Sequence, residues 1–448
     1  MSCQSEKPRV QKTTNRRGFI STAIKGGLAA AALPLSARGA DPATDGAPGA
    51  TLSPKDLTAR YAKLDEVLKL PVLKKELFAS PVLIESVELL RDRNGFLCRV
   101  RSKDGAEGIS AGHGSQNARN WPVFKGLIDR FTGKDARNLD ALLPDGGGKG
   151  GGIPYNVQVA TIEIAVLDML GNTANVPIGK LIGEIHNPRI PIYQGSRVGE
   201  LRSLPPEESL ELVKKDLLES KAKAVKMRAG GGGVLDGDNA PGRTEKLIRM
   251  ARETFGEKMV LGCDGNNNYS AAGAIRLGKI LEDYEYAWWE EMVPFGWYDE
   301  LKMVKDGLRI KITTGESESH IATFRWLIAN DACDTVQPDN LYFGGLIRSM
   351  KVARMAAALG KDISPHITQY GLGYLYNLHF VSACPNPAPY QEFDGFSTRD
   401  ANGNDIPIQS KTTPIVSEDG VIAVPTGSGL GIAIDPDYVK KHKPVKDW

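Results

Sequence analysis

Three acids stand at an even interval of 26 residues: Asp264, Glu290 and Glu316. Each closes a short run, Val260-Leu-Gly-Cys-Asp264, Ala287-Trp-Trp-Glu290 and Lys311-Ile-Thr-Thr-Gly-Glu316. Carboxylates brought to one point repel one another unless a cation sits between them. An all-oxygen set selects a hard ion, and three carboxylates with open positions suit an octahedral Mg2+. That ion would act as a Lewis acid on a substrate oxygen. Two more run ends follow, Asp339 in Thr335-Val-Gln-Pro-Asp339 and His366 in Asp362-Ile-Ser-Pro-His366. As a pair, the aspartate holds the ring and raises its basicity, which suits a general base near neutral pH. Lys226 and Arg228, two apart in Ala224-Val-Lys-Met-Arg228, point to one side of a strand. Facing the histidine from across a barrel, they could bind a carboxylate and stabilise an anion. Such a set could take a proton from the carbon beside a carboxylate.

The elements that must hold these residues follow from the same spacing. Apolar runs rich in β-branched and aromatic residues, each ending in a functional group, read as buried parallel strands. The segments between them, 270–283 and 298–307, read as helices. Repeated strand-plus-helix units with chemistry at the strand ends are the pattern of a β/α barrel. Eight strands are expected, starting at Arg189, Ala224, Val260, Ala287, Lys311, Asp334, Asp362 and Pro389. Before them, turns at Arg93-Asn-Gly95 and Lys103-Asp-Gly105 divide residues 82–110 into a three-stranded meander. The polar loop Ala111 to Trp121 carries His113 and Arg119, which read equally well as surface residues or substrate contacts. Val159, Ile162, Val166, Met169 and Leu170 predict an amphipathic helix stopping near Gly171. The glycine-rich stretch 146–152 lacks a phosphate loop's Gly-Lys-Ser/Thr ending and reads as flexible surface. Glycines 230–233 read as a mobile loop that could close over the site. In the tail, Gly420 to Val424 and Gly431 to Ile434 look like short strands that return to the first domain.

A chain of 448 residues exceeds one ordinary core. A net charge of +2 with no basic stripe argues against nucleic acid as a partner. Asn15-Arg-Arg-Gly-Phe-Ile20, then an apolar run that ends in small residues near Ala40, predicts a twin-arginine type export signal over residues 1–40. The run is too short to span a membrane, so no membrane role is expected beyond export to the periplasm. Residues 41–79 would then be a linker and leading helix. The five cysteines show no metal spacing; Cys263 and Cys333 should be buried thiols. His379 should be packed, while His186 and His442 should lie in polar surface segments.

At these residues the sequence resembles the enolase superfamily, in its mandelate racemase-like subgroup. The resemblance rests on an ordered set: Ile162-Glu-Ile-Ala-Val-Leu-Asp-Met-Leu-Gly171, Val225-Lys-Met-Arg228, the three acids, Gln337-Pro-Asp339 with Gly344-Gly345, His366, and Gly427-Ser-Gly-Leu-Gly431. It implies an α/β fold, a modified TIM barrel (β/α)7β over 188–393 with an N-terminal α+β capping domain over 80–187. Residues 394–448 would return to that cap. It also implies Asp264, Glu290 and Glu316 as magnesium ligands and Asp339 with His366 as the base dyad. Glu392 would contact the substrate carboxylate, and Asn266, His113 and Arg119 would be further substrate contacts. The Glu290-Glu-Met-Val-Pro294 stretch departs from the family's usual Glu-Glu-Pro, which opens the choice between Glu290 and Glu291; the even spacing favours Glu290. Arg228 stands where a second lysine base is common, and an arginine stays protonated. That departure favours a one-base reaction, dehydration of a sugar acid, over racemisation or cycloisomerisation. An exported sugar-acid binding protein without turnover is a third reading. Relatives commonly form closed assemblies, so a homo-oligomer is expected.

Overall fold

The structure is a computed structural model that describes residues 52–113, 116–143, 152–195, 198–368, 371–393, 406–410 and 417–448. Residues 1–40, where an export signal is expected, and nearly all of the glycine-rich stretch 146–152 lie outside the described residues.

The meander forms as expected, with β1 (Ile84–Asp92), β2 (Gly95–Ser102) and β3 (Glu107–Ala111) paired antiparallel. Its first turn is centred on Arg93 and Asn94, within the expected Arg93-Asn-Gly95. Arg93 takes the left-handed conformation (φ 52°), and Gly95 pairs with Asp92. The helix Ile153–Ala174 lies across β2 and β3, and a Cβ at Gly108 would meet Ala165 O at 2.2 Å. This helix corrects the amphipathic expectation, since every residue from Asn156 to Gly171 is buried. A helix covered on all sides carries no polar face. It is covered by the meander on one side and by the helices Trp121–Phe131, Ile178–Ile182 and Leu346–Ala358 elsewhere.

The eight expected strands are all present and close a parallel barrel. They are β4 (Arg189–Gln194), β5 (Ala224–Arg228), β6 (Val260–Asp264), β7 (Trp288–Glu290), β8 (Lys311–Thr314), β9 (Thr335–Val336), β10 (Asp362–Ile363) and β11 (Gln391–Phe393). Each pairs with the next from β4 to β10, and β11 pairs with β4. A bridge from Ile363 to Pro387 closes the remaining gap. Register sets Arg228 beside Asp264 and Asp264 beside Glu290. Because side chains alternate faces along a strand, these aligned residues share the interior.

The motif residues of the long helix stitch cap to barrel. Glu163 accepts from the backbone N–H groups of Leu346 (3.0 Å) and Ile347 (2.8 Å), capping the helix Leu346–Ala358 from a different part of the chain. Gly345 is obligatory there: its φ is 116°, and a Cβ would sit 2.3 Å from Glu163 Oε2. Asp168 accepts from Ile109 N at 2.9 Å and from Leu430 N at 2.7 Å, tying β3 to the tail.

The tail corrects the expected pairing. Val421–Ala423 lies antiparallel to β4 of the barrel, and Ile432–Ile434 pairs with Ile408–Ser410. The strand that does return to the meander is Lys443–Pro444, on the edge of β1. The two runs were apolar enough to be seen as strands; Lys443 and Pro444 pair through backbone alone and leave no apolar signal. The described cysteines, at 98, 263, 333 and 384, are free and buried. His379 is packed as expected and binds Leu430 O at 3.0 Å. His442 is buried, not on the surface, against Tyr438 O at 3.1 Å.

Candidate active site

The strand ends converge. One carboxylate oxygen from each of Asp264, Glu290 and Glu316 lies within 4.8 Å of the others. Asp264 and Glu290 end β6 and β7, and Glu316 follows the turn after β8, where Gly315 has φ 120°. Lys226 Nζ sits among them, 2.6 Å from Glu290 Oε1, 2.8 Å from Glu392 Oε1 and 3.8 Å from Asp264 Oδ2. Arg228 pairs with Asp264. His366 Nδ1 is 3.0 Å from Asp339 Oδ2, and its Nε2 is 3.3 Å from Glu316 Oε2. Asp339 is itself fixed, its Oδ1 accepting from Leu341 N (2.8 Å) and Tyr342 N (2.9 Å). Glu392 bridges the two halves, since its Oε2 accepts from Ile367 N at 3.1 Å.

Charge at this end is unbalanced. Six buried or nearly buried acids (Asp264, Glu290, Glu291, Glu316, Asp339, Glu392) face three bases (Lys226, Arg228, His366). Burial pushes the Glu290 carboxyl up; Lys226 opposes this, and the net position is about 7. Burial, then Glu316 and Asp264, push Glu291 well above the ordinary range. Both Glu291 oxygens lack a hydrogen-bond partner among the described residues. Burial opposes charge on His366, but Glu316, Glu392 and Asp339 outweigh it and hold the imidazolium up to about 10. Burial also opposes charge on Lys226, and Glu290 and Glu392 overcome it. Buried acids in excess, with unsatisfied oxygens, fit a divalent hard cation bound through oxygen.

Of the sequence-predicted residues, Lys226, Asp264, Glu290, Glu316, Asp339, His366 and Glu392 are thus brought together, with Arg228 in the same cluster. Asn266 lies at its edge: its N–H donates to Asp264 Oδ1 (2.7 Å), and its Oδ1 accepts from Arg202 at 3.3 Å. His113 reaches the dyad side, its ring edge-on to Tyr342 at 6.0 Å, with burial pushing its pKa down and Asp339 opposing. Arg119 is exposed in the turn before the helix Trp121–Phe131, and no contact with the cluster is seen among the described residues. The glycine loop 230–233 is pinned at two points, Gly230 N to Thr244 Oγ1 (3.0 Å) and Gly232 N to Asn239 Oδ1 (2.8 Å).

Sequence reasoning missed two members. Gln337 Nε2 donates to Glu290 Oε2 at 2.9 Å, which orients one of the three clustered acids. Its signal was present, since it stands two residues before Asp339 on the same side of its strand. Tyr193 stacks beneath the lysine, with Lys226 Nζ 5.4 Å from its ring centre.

Comparison with known proteins bears on the same residues. The enolase C-terminal domain-like family matches residues 208–438. The chain is 28% identical to L-talarate/galactarate dehydratase of Salmonella typhimurium over 300 residues, 64% of this chain and 70% of that protein. It is 25% identical to D-galactarolactone cycloisomerase of Agrobacterium fabrum over 376 residues, covering 80% and 94%. A mandelate racemase/muconate lactonizing protein of Paracoccus denitrificans, complexed with magnesium, superposes with a TM-score of 0.68 at 26% identity, over 81% of this chain and 98% of that one. With its matched residues, its capped parallel barrel and its ring of strand-end acids, the chain belongs to the enolase superfamily, in the mandelate racemase-like branch.

Proposed function

We propose that this protein is a magnesium-dependent lyase that dehydrates a sugar acid, an aldonate or aldarate, to a 2-keto-3-deoxy acid. The observation that carries the reading is the placement of His366, oriented by Asp339, 3.3 Å from one of three clustered acids. Magnesium held by Asp264, Glu290 and Glu316 would bind the substrate carboxylate and stabilise the negative charge that develops there. Lys226 and Arg228 add fixed positive charge beside it, and Glu392 anchors Lys226. His366 Nε2 takes the α-proton, leaving the C–H electron pair on the substrate. The same ring then returns the proton to the β-hydroxyl, which leaves as water as the carbon–oxygen bond breaks, and the resulting enol becomes the ketone. The ring is a base only when neutral, so the acidic field that keeps it charged must be offset once the site is loaded.

Racemisation needs a second base. Lys226 is held charged by two acids at 2.6 and 2.8 Å, and Arg228 does not deprotonate, which supports dehydration over epimerisation. The test is a panel of acid sugars with magnesium present. One or more should yield a 2-keto-3-deoxy acid; exchange of the α-proton with solvent and no keto acid would favour an isomerase, and neither event would favour a binding protein. Residues 1–40 support export to the periplasm, and a fusion retained in the cytoplasm of a twin-arginine-competent cell would refute that part.

A further inference from the structure

The amino-terminal end of the barrel is open where barrels of this kind are filled by layers of large branched side chains. Inward positions here carry Gly262, Thr313, Thr335 and Ser364, and they leave a cavity of about 290 Å³. Trp288 lines it, its ring lying over Gly262, where a Cβ would come within 1.9 Å of it. Tyr193 continues the aromatic wall, its ring centre 5.2 Å from that of Trp288. The size is near the lower limit of ligand pockets, roughly 300 Å³.

Three residues on this lining carry buried polar atoms with no partner among the described residues: Thr313 Oγ1, Gln337 Oε1 and Ser364 Oγ. Their residues are only 4%, 2% and 4% exposed. Three such atoms around one void are groups that an occupant could meet. Two are hydroxyls, able to donate or accept, and the amide oxygen accepts only. The amide is also preset, because its nitrogen is committed to Glu290 at 2.9 Å. Charge is balanced at the mouth, where Lys311 and Asp362 pair at 2.9 Å. An anion or a cation therefore gains nothing here. The walls instead suit a flat ring carrying a hydroxyl that donates to Gln337.

We propose that this mouth is a second small-molecule site, lying below the acid cluster and sharing Gln337 and Tyr193 with it, that takes a neutral aromatic alcohol. Phenol is the probe. Calorimetry on the full-length chain should show phenol saturating one site, and glucose, a neutral polyol, should not compete. Thr313→Val keeps the shape and removes one hydroxyl, so affinity should fall about fivefold. Ala388→Leu narrows the mouth and should abolish binding, with an unchanged melting transition showing that the variant is folded. No saturable binding of phenol, preferential binding of glucose, or undiminished binding in Ala388→Leu would overturn the proposal. So would a phenol-soaked crystal whose cavity holds water alone.

Discussion

At the carboxyl ends of its strands the barrel gathers six acids and three bases; at the amino ends small residues and an aromatic wall surround a void whose mouth holds one ion pair. The two ends use successive inward positions of the same strands. On β7 Trp288 faces the void and Glu290 the acids, and from β10 onward the inward series runs from Ser364 to His366. Fold and function therefore separate along each strand. Backbone pairing fixes direction, and residue identity at each inward position decides whether that level packs, binds or reacts. The charged end is costly in isolation, because like charges are buried together. Bonds elsewhere offset that cost, notably Glu163 locking the cap to the barrel and Asp168 locking it to the tail.

Substitutions at the two ends should differ in kind. The largest effect is expected at the reacting ring: His366→Asn should lower turnover by about a thousandfold or more, read as keto-acid formation. Next is Lys226→Met, which leaves Glu290 and Glu392 without their cation. Chemical denaturation of the magnesium-free protein should show a loss of about 3–5 kcal/mol, partly restored by magnesium. An undiminished stability would mean that the acids are not charged.

Glu163→Gln tests the stitch between cap and barrel. Burial pushes this carboxyl up from 4.5 to about 8, against the two backbone N–H groups that favour its charge. In the folded chain it keeps its proton to higher pH than in the unfolded chain. Its contribution is therefore full below about 4.5 and is lost as pH rises towards about 8. Glutamine has no proton to lose, so the fall in stability with pH over that window should flatten. The smallest effect is expected at the void. Thr313→Val removes a hydroxyl that has no partner among the described residues, so stability should change by less than about 0.5 kcal/mol and keto-acid formation should not change. A large loss of activity there would erase the distinction between the two ends.

Much of the barrel was legible because its strands announce themselves twice, by apolar runs and by a functional residue at each end. The 26-residue interval favours Glu290 over Glu291, and the register sets Glu290 beside Asp264. What was not legible depended on partners distant in sequence. The helix Ile153–Ala174 looked one-sided because nothing in its own stretch reveals that a second layer covers its other face. The pairing of Lys443–Pro444 with β1 spans most of the chain and is made by backbone groups, which leave no side-chain pattern. Gln337 went without a role since a glutamine's partner is set by rotamer and neighbour, not by spacing. The void at the amino mouth is a sum of small residues from several strands, and it becomes visible only when the strands are placed side by side.

The central claim is that one divalent ion sits among three carboxylates and within reach of the imidazole. Titration of the purified chain with Mn2+, followed by electron paramagnetic resonance and by the ring resonances of His366, tests it in a single experiment. One ion per chain should bind and broaden those resonances, and Glu316→Gln should weaken both effects together. Binding that is unchanged in Glu316→Gln, or an ion that leaves the His366 ring signals sharp, would contradict the account.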